Sequence, residues 1–187
     1  MPMYRKVHID SIINNLLPTY MIHFFVMDID GTLTDGKLYI GQSGEMMKAF
    51  DVKDGYAVAV MLPRAGIIPV VITGRQSNIV SERCKELGIT ECHQGSTDKL
   101  ASLTQLIDKY SVQEQTSFSL ADVAYIGDDL PDLECVEAVT KAGGITACPN
   151  DAIREVKDAC TFVCGKNGGC GAVREFVEYL TKDAIVV

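Results

Sequence analysis

His23-Phe24-Phe25-Val26-Met27-Asp28-Ile29-Asp30-Gly31-Thr32-Leu33-Thr34 is the stretch from which the fold of this chain is read. A short apolar run that stops at a carboxylate and then a glycine reads as a buried parallel strand. Only a strand covered on both faces stays apolar at successive positions. The pattern recurs downstream. Ile67–Ile72 runs into Thr73-Gly74, and Val123–Ile126 runs into Gly127-Asp128; Gly144–Ala147 and Thr161–Val163 are weaker copies. Helical patterns fill the intervals, over residues 54–65, 77–87, 98–110, 130–139, 150–157 and 171–181. Strand and helix in alternation predict an α/β fold, a parallel sheet with helices on both faces. One insertion breaks the alternation. Leu38-Tyr39-Ile40 and Met46–Phe50 flank Gly41-Gln42-Ser43-Gly44, which predicts a β-hairpin. It follows the carboxyl end of the first strand, where ligand sites of α/β sheets lie.

The chain has 187 residues, 47% hydrophobic and 22% charged, which suits one soluble domain. That domain is expected over residues 22–187, with residues 1–21 as an N-terminal extension. Arg5 and Lys6 precede an apolar stretch, but His8, Asp10, Asn14 and Asn15 interrupt it and no small-residue cleavage site follows, so a signal peptide is not expected. No run of 18 apolar residues is present, and no transmembrane helix is expected. The net charge of -8 argues against general affinity for nucleic acid or an anionic membrane. An anionic substrate would then need a local cation. The seven cysteines form no CxxC pair and read as small buried hydrophobes of a reducing cytoplasm. A zinc site from Cys160, Cys164 and Cys170 would lack the usual ligand spacing.

The polar residues gather at the carboxyl ends of the apolar runs: Asp28 and Asp30 after the first, Thr73 and Arg75 after the second, and Asp128, Asp129 and Asp132 after a later one. Parallel strands bring those ends together. Crowded carboxylates repel, so the site needs a cation. Oxygen ligands without histidine suit a hard ion such as Mg²⁺. The alternative for each Asp is a helix N-cap, and two DxD-like clusters at strand ends favour the site over the caps.

Asp28-Ile29-Asp30-Gly31-Thr32-Leu33-Thr34 resembles the first motif of the haloacid dehalogenase-like phosphatases. Thr73, Lys99 and Gly127-Asp128-Asp129-Leu130-Pro131-Asp132 resemble the second, third and fourth, in the family's order. Lys48–Gly55, Ile72–Arg75, Gln94–Leu100 and Gly168–Glu175 are similar to the branch without a cap domain that includes 3-deoxy-D-manno-octulosonate 8-phosphate phosphatase. Relatives in that branch hydrolyse nonulosonate 9-phosphates. One departure is Cys170, where the branch typically has Arg.

The resemblance implies a Rossmann-like core, with the hairpin in place of a cap domain. It also implies Mg²⁺-dependent hydrolysis of a 2-keto-3-deoxy sugar acid phosphate. Asp28 would be the nucleophile and Asp30 the acid/base. Mg²⁺ would be held by Asp28, the Asp30 backbone carbonyl and Asp128, with Asp129 and Asp132 close by. Thr73 and Lys99 would hold the phosphoryl oxygens. Lys48 and Arg75 are candidates for the substrate's carboxylate, or are ordinary surface charge; Asp54 and Arg174 are further substrate candidates. A domain without a lid leaves the site open to water, so closure by a neighbouring subunit is expected, in a homotetramer, with the Gly165–Gly171 segment as a mobile tail. A cytoplasmic enzyme of lipopolysaccharide synthesis is the resulting picture. The alternatives are a nonulosonate 9-phosphate phosphatase, a sugar phosphomutase (which would need a cap) and a non-catalytic oligomerisation module of a cytidylyltransferase system.

Overall fold

A computed structural model describes residues 22–182; the expected N-terminal extension, residues 1–21, lies outside them. The first strand, β1 (Phe24–Met27), is fully buried. Its alternate side chains explain why it is apolar throughout. Phe25 and Met27 pack on one face with Ala57, Val58, Val80 and Phe176. Phe24 and Val26 pack on the other with Leu103, Leu106, Val136 and Val139. At roughly 25 cal/mol per Å² of apolar surface, the four side chains together are worth several kcal/mol of burial.

The hairpin follows as β2 (Tyr39–Gly41) and β3 (Gly44–Met47), antiparallel to each other and separate from the main sheet. Helix α1 runs through Val52–Tyr56, a wider-wound turn at Ala57–Met61, and Leu62–Arg64. Then come β4 (Ile68–Thr73), α2 (Asn78–Glu86), β5 (Glu91–Gln94) and α3 (Lys99–Glu114). The chain continues through β6 (Val123–Ile126), α4 (Leu130–Ala142), β7 (Ile145–Cys148), α5 (Arg154–Ala159), β8 (Phe162–Val163) and α6 (Ala172–Thr181).

The main sheet is parallel, in the order β5-β4-β1-β6-β7-β8. This is the α/β architecture read from the alternation. Strand β1 is central, so the carboxyl ends of β4 and β6 flank Asp28. β5 escapes the apolar-run reading because Glu91 opens it. That carboxylate is buried only because Lys109 (2.6 Å) and the Tyr110 hydroxyl (3.2 Å) satisfy it.

The Gly165–Gly171 segment corrects one expectation: it is pinned to its own chain rather than left as a mobile tail. Gly165 and Lys166 N–H groups donate to Glu175, at 3.0 and 3.1 Å, and Gly168 N–H donates to Asp151 at 2.9 Å. Gly169 N–H donates to the Thr32 carbonyl at 3.0 Å. Glycine is needed here for close approach. A Cβ on Gly168 would collide with the Gly31 carbonyl, and one on Gly169 would lie 2.6 Å from Asp35 N. The segment therefore buttresses the loop that carries Asp30. Gly168→Ala is expected to push that loop aside, costing about 1–3 kcal/mol by overpacking and roughly tenfold or more in turnover. Gly165→Ala meets only ordinary contacts (3.4 Å to Glu175) and is the control. Paired melting curves and turnover numbers that match for the two variants would contradict the buttress.

Candidate active site

Asp28 stands immediately beyond β1, its N–H bonded to the Ile126 carbonyl of β6 at 3.1 Å. The next turn is shaped by Gly31, whose φ of +96° suits glycine, and a Cβ there would strike the Asp128 carboxylate. Gly31 thus lets the first and fourth motifs meet. Thr32 hydroxyl donates to Asp128 Oδ1 at 2.9 Å and fixes that carboxylate. Lys99 opens α3, whose N-cap Asp98 accepts from Ala101 N–H at 2.8 Å. The buried Lys99 ammonium lies 2.9 Å from Asp28 Oδ1 and 2.7 Å from Asp132 Oδ1. Thr73, also buried, ends β4 beside β1.

Asp132 is the anchor of the cluster. Its Oδ1 accepts from Lys99 and from the Tyr125 hydroxyl (2.7 Å), and its Oδ2 from the N–H groups of Asp128 (3.1 Å) and Asp129 (3.3 Å). Four donors occupy a carboxylate's four good acceptor positions, so Asp132 orients its neighbours. Asp129 caps α4, accepting from Leu130 N–H at 2.8 Å, with its side chain toward solvent.

Asp28, Asp128 and Asp132 bring carboxylate oxygens within 4.8 Å of one another. Asp28 Oδ1 is buried yet accepts no hydrogen bond, because the Lys99 ammonium lies near it but off the hydrogen-bond direction. A buried carboxylate oxygen that accepts no hydrogen bond, with two further carboxylates within 4.8 Å and no histidine or cysteine among them, fits a hard divalent cation beside the Lys99 ammonium. Mg²⁺ is one such ion: Asp28 and Asp128 would offer it oxygens, and Asp132 would support them.

Burial foremost, then repulsion from Asp132, raises the Asp28 carboxyl to about 6, with Lys99 opposing. Burial, then Asp28 and Asp132, raises Asp128 to about 7. For Lys99, burial disfavours the charge, but Asp28 and Asp132 outweigh it and the ammonium is held above its ordinary value. A carboxyl raised in the folded state contributes stability at low pH that is lost as pH rises through the folded value. From these two groups, metal-free protein should lose stability as pH rises from about 4 to about 7. Mg²⁺ binds the deprotonated form, so it should raise the melting temperature more at pH 8 than at pH 5.5. Thermal scans with and without Mg²⁺ check this; a larger gain at pH 5.5 contradicts it.

Lys48 and Arg75 do come to the site, but in this structure their partners are protein carboxylates. The Lys48 ammonium, buried on its stem, bonds Asp30 directly and sits 3.0 Å from Glu45 Oε1. Arg75 lies 3.5 Å from Asp30 and 3.6 Å from Glu45. Asp54 and Arg174 stand apart from this cluster, each engaged within its own chain. Buried Asp54 accepts from the N–H groups of Gly171 (3.2 Å) and Arg174 (2.7 Å) and so caps α6. Burial raises its carboxyl to about 6, against those backbone bonds. The Arg174 side chain pairs with Glu178 at 2.7 Å and lies over Tyr56. Cys160, Cys164 and Cys170 form no metal cluster among the described residues.

Three contributors escaped the sequence reading. Glu45 on β3 links Lys48, Arg75 and the Ser77 hydroxyl; its position three residues before Lys48 was the available hint. Thr32 sits inside the first motif. Tyr125 is a phenol in a buried strand, which by itself demands a hydrogen-bond partner.

No family model matches the chain. Individual relatives do. It is 37% identical over 159 residues to the 3-deoxy-D-manno-octulosonate 8-phosphate phosphatase KdsC of Escherichia coli K12, covering 85% of this chain and 79% of that one. The KdsC of Salmonella typhi is 36% identical over the same span. Among solved structures, the 3-deoxy-D-manno-octulosonate 8-phosphate phosphatase of Moraxella catarrhalis, in complex with magnesium ion, phosphate ion and KDO, superposes with a TM-score of 0.79. It is 37% identical, with 94% of this chain and 92% of that one covered. A cobalt-bound homologue from Haemophilus influenzae gives 0.77 at 34% identity, covering 87% and 89%. With its strand order, its carboxylate cluster and these likenesses over most of its length, the chain belongs to the 3-deoxy-D-manno-octulosonate 8-phosphate phosphatase family, phosphoric monoester hydrolases of the haloacid dehalogenase superfamily.

Proposed function

We propose that the chain hydrolyses 3-deoxy-D-manno-octulosonate 8-phosphate through an aspartyl-phosphate on Asp28. The observation that carries the reading is the buried Asp28 carboxylate, 2.9 Å from Lys99 and clustered with Asp128 and Asp132; the Moraxella relative, solved with magnesium, phosphate and KDO, supports it. Phosphate monoesters resist attack because both partners are anionic. A bound Mg²⁺ supplies charge that offsets this repulsion. The chain's own residues do the rest. Lys99 and Thr73 hold the phosphoryl oxygens. An Asp28 oxygen bonds to phosphorus as the P–O bond to the sugar breaks, and Asp30 gives that oxygen its proton. Asp30 then takes a proton from water, whose oxygen attacks phosphorus and releases phosphate and free Asp28.

Lys48 and Arg75 now hold Asp30. A substrate carboxylate offers them a second partner, which leaves Asp30 free to give and take the proton. Phosphate release should therefore be efficient on the eight-carbon 2-keto-3-deoxy sugar acid phosphate and weak on glucose 6-phosphate. Equal kcat/KM on both removes the case for a carboxylate contact. A preference for a nine-carbon substrate would assign the chain to the neighbouring branch.

The described part of the domain has only the hairpin where a cap would sit, and it exposes Leu38, Ile40, Met46 and Met47 there, with Val52 and Tyr56 on α1. A second copy would cover this apolar set, so the reading includes a homo-oligomer, a tetramer on the family's pattern, that shields the site. Among the described residues no helix is long and apolar enough to cross a membrane, and a cytoplasmic place in lipopolysaccharide synthesis fits the family.

A further inference from the structure

Two of the seven cysteines meet outside the active site. Cys84, on the inner face of α2, is buried, and Cys92, on the edge strand β5, is half-buried. Both side chains pack into one apolar cluster, Cys84 within it and Cys92 against it. Both line one surface cleft, walled by Ser81, Lys85, Ile89 and Gln94. The cleft gives a small solute access to the pair. β5 has strand neighbours on one side only, so its outer edge is free among the described residues.

We propose that Cys84 and Cys92 form an oxidation site, a dithiol that a hydroperoxide converts to an intramolecular disulfide. The balance is complete. The Cys92 thiolate attacks the peroxide, its O–O bond breaks, hydroxide or an alkoxide leaves and takes a proton from water, and Cys92 becomes a sulfenic acid. The Cys84 sulfur then displaces hydroxide from Cys92, forming the S–S bond, and the released thiol proton makes water. Cys92 has the character of the attacking thiol. The neighbouring Cys84 thiol lowers it to about 7, against the effect of burial, while Cys84 is raised and stays protonated until it resolves. Their separation of eight positions closes only a short loop across the α2–β5 turn.

The pair Cys148 and Cys160 serves as an internal comparison. They too pack into one cluster, but Cys148 is fully buried on β7 and neither lines the cleft.

The test uses the full chain, treated with hydrogen peroxide, then alkylated and digested for mass spectrometry without reductant. The expected product is one peptide pair joined through Cys84 and Cys92, lighter by two hydrogens and released by dithiothreitol. In Cys84→Ser, a sulfenic-acid trap should label Cys92. In Cys92→Ser, Cys84 should remain a thiol. Wild-type protein carries the main test, so a variant that folds poorly does not decide it. Peroxide that leaves both thiols open to alkylation overturns the proposal. So does a disulfide that forms first at Cys148 and Cys160, or only between chains.

Discussion

Asp28→Asn should lose turnover by ~10⁴-fold or more, because the variant has no anionic oxygen to attack phosphorus. The fold should survive. Burial and the neighbouring carboxylates disfavour the Asp28 anion, so a neutral amide relieves that cost in metal-free protein. Lys99 keeps Asp132 as a partner at 2.7 Å. The expected signature is thus paired: near-total loss of phosphate release, with an unchanged or higher melting temperature without Mg²⁺. Mg²⁺ should also raise that temperature less than in wild type, since one oxygen ligand has lost its charge. Turnover above a hundredth of wild type would remove Asp28 from the nucleophile's role.

Removing the metal should be equally severe. Exhaustive chelation is expected to abolish phosphate release and Mg²⁺ to restore it. Without the cation, Asp28 must meet an anionic phosphoryl group with two further carboxylates, Asp128 and Asp132, within 4.8 Å of its own. Ca²⁺ should bind the carboxylates and support little turnover, because its longer, less regular coordination misplaces the attacking oxygen. Asp128→Ala should behave as chelated wild type at any attainable Mg²⁺ concentration, whereas Asp129→Ala should cost far less, as its side chain caps α4. Full activity after chelation would exclude the mechanism.

The parallel sheet was legible in the sequence because each central strand is buried on both faces and must be apolar at every position, as Phe24–Met27 is. The acidic centre was legible for a related reason. Carboxylates at the ends of such strands have no apolar role, so Asp28, Asp30 and Asp128 stand out against the runs that precede them. β5 did not stand out, because its buried Glu91 depends on Lys109 and Tyr110, partners more than fifteen residues away.

By itself, the sequence determined the alternation of elements, the hairpin after the first strand and which carboxylates lie at strand ends; periodicity and local turn chemistry encode all three. The tertiary structure decided the pairings. It assigned Asp132 to anchor Lys99 and Tyr125, Lys48 and Arg75 to Asp30 and Glu45, and Asp54 to the N-terminus of α6. It also turned the glycine-rich tail into a buttress for the Asp30 loop. The physical reason is that a charged side chain takes the partner that burial brings within about 3 Å. That partner lies far along the chain, and no local pattern of residues records it.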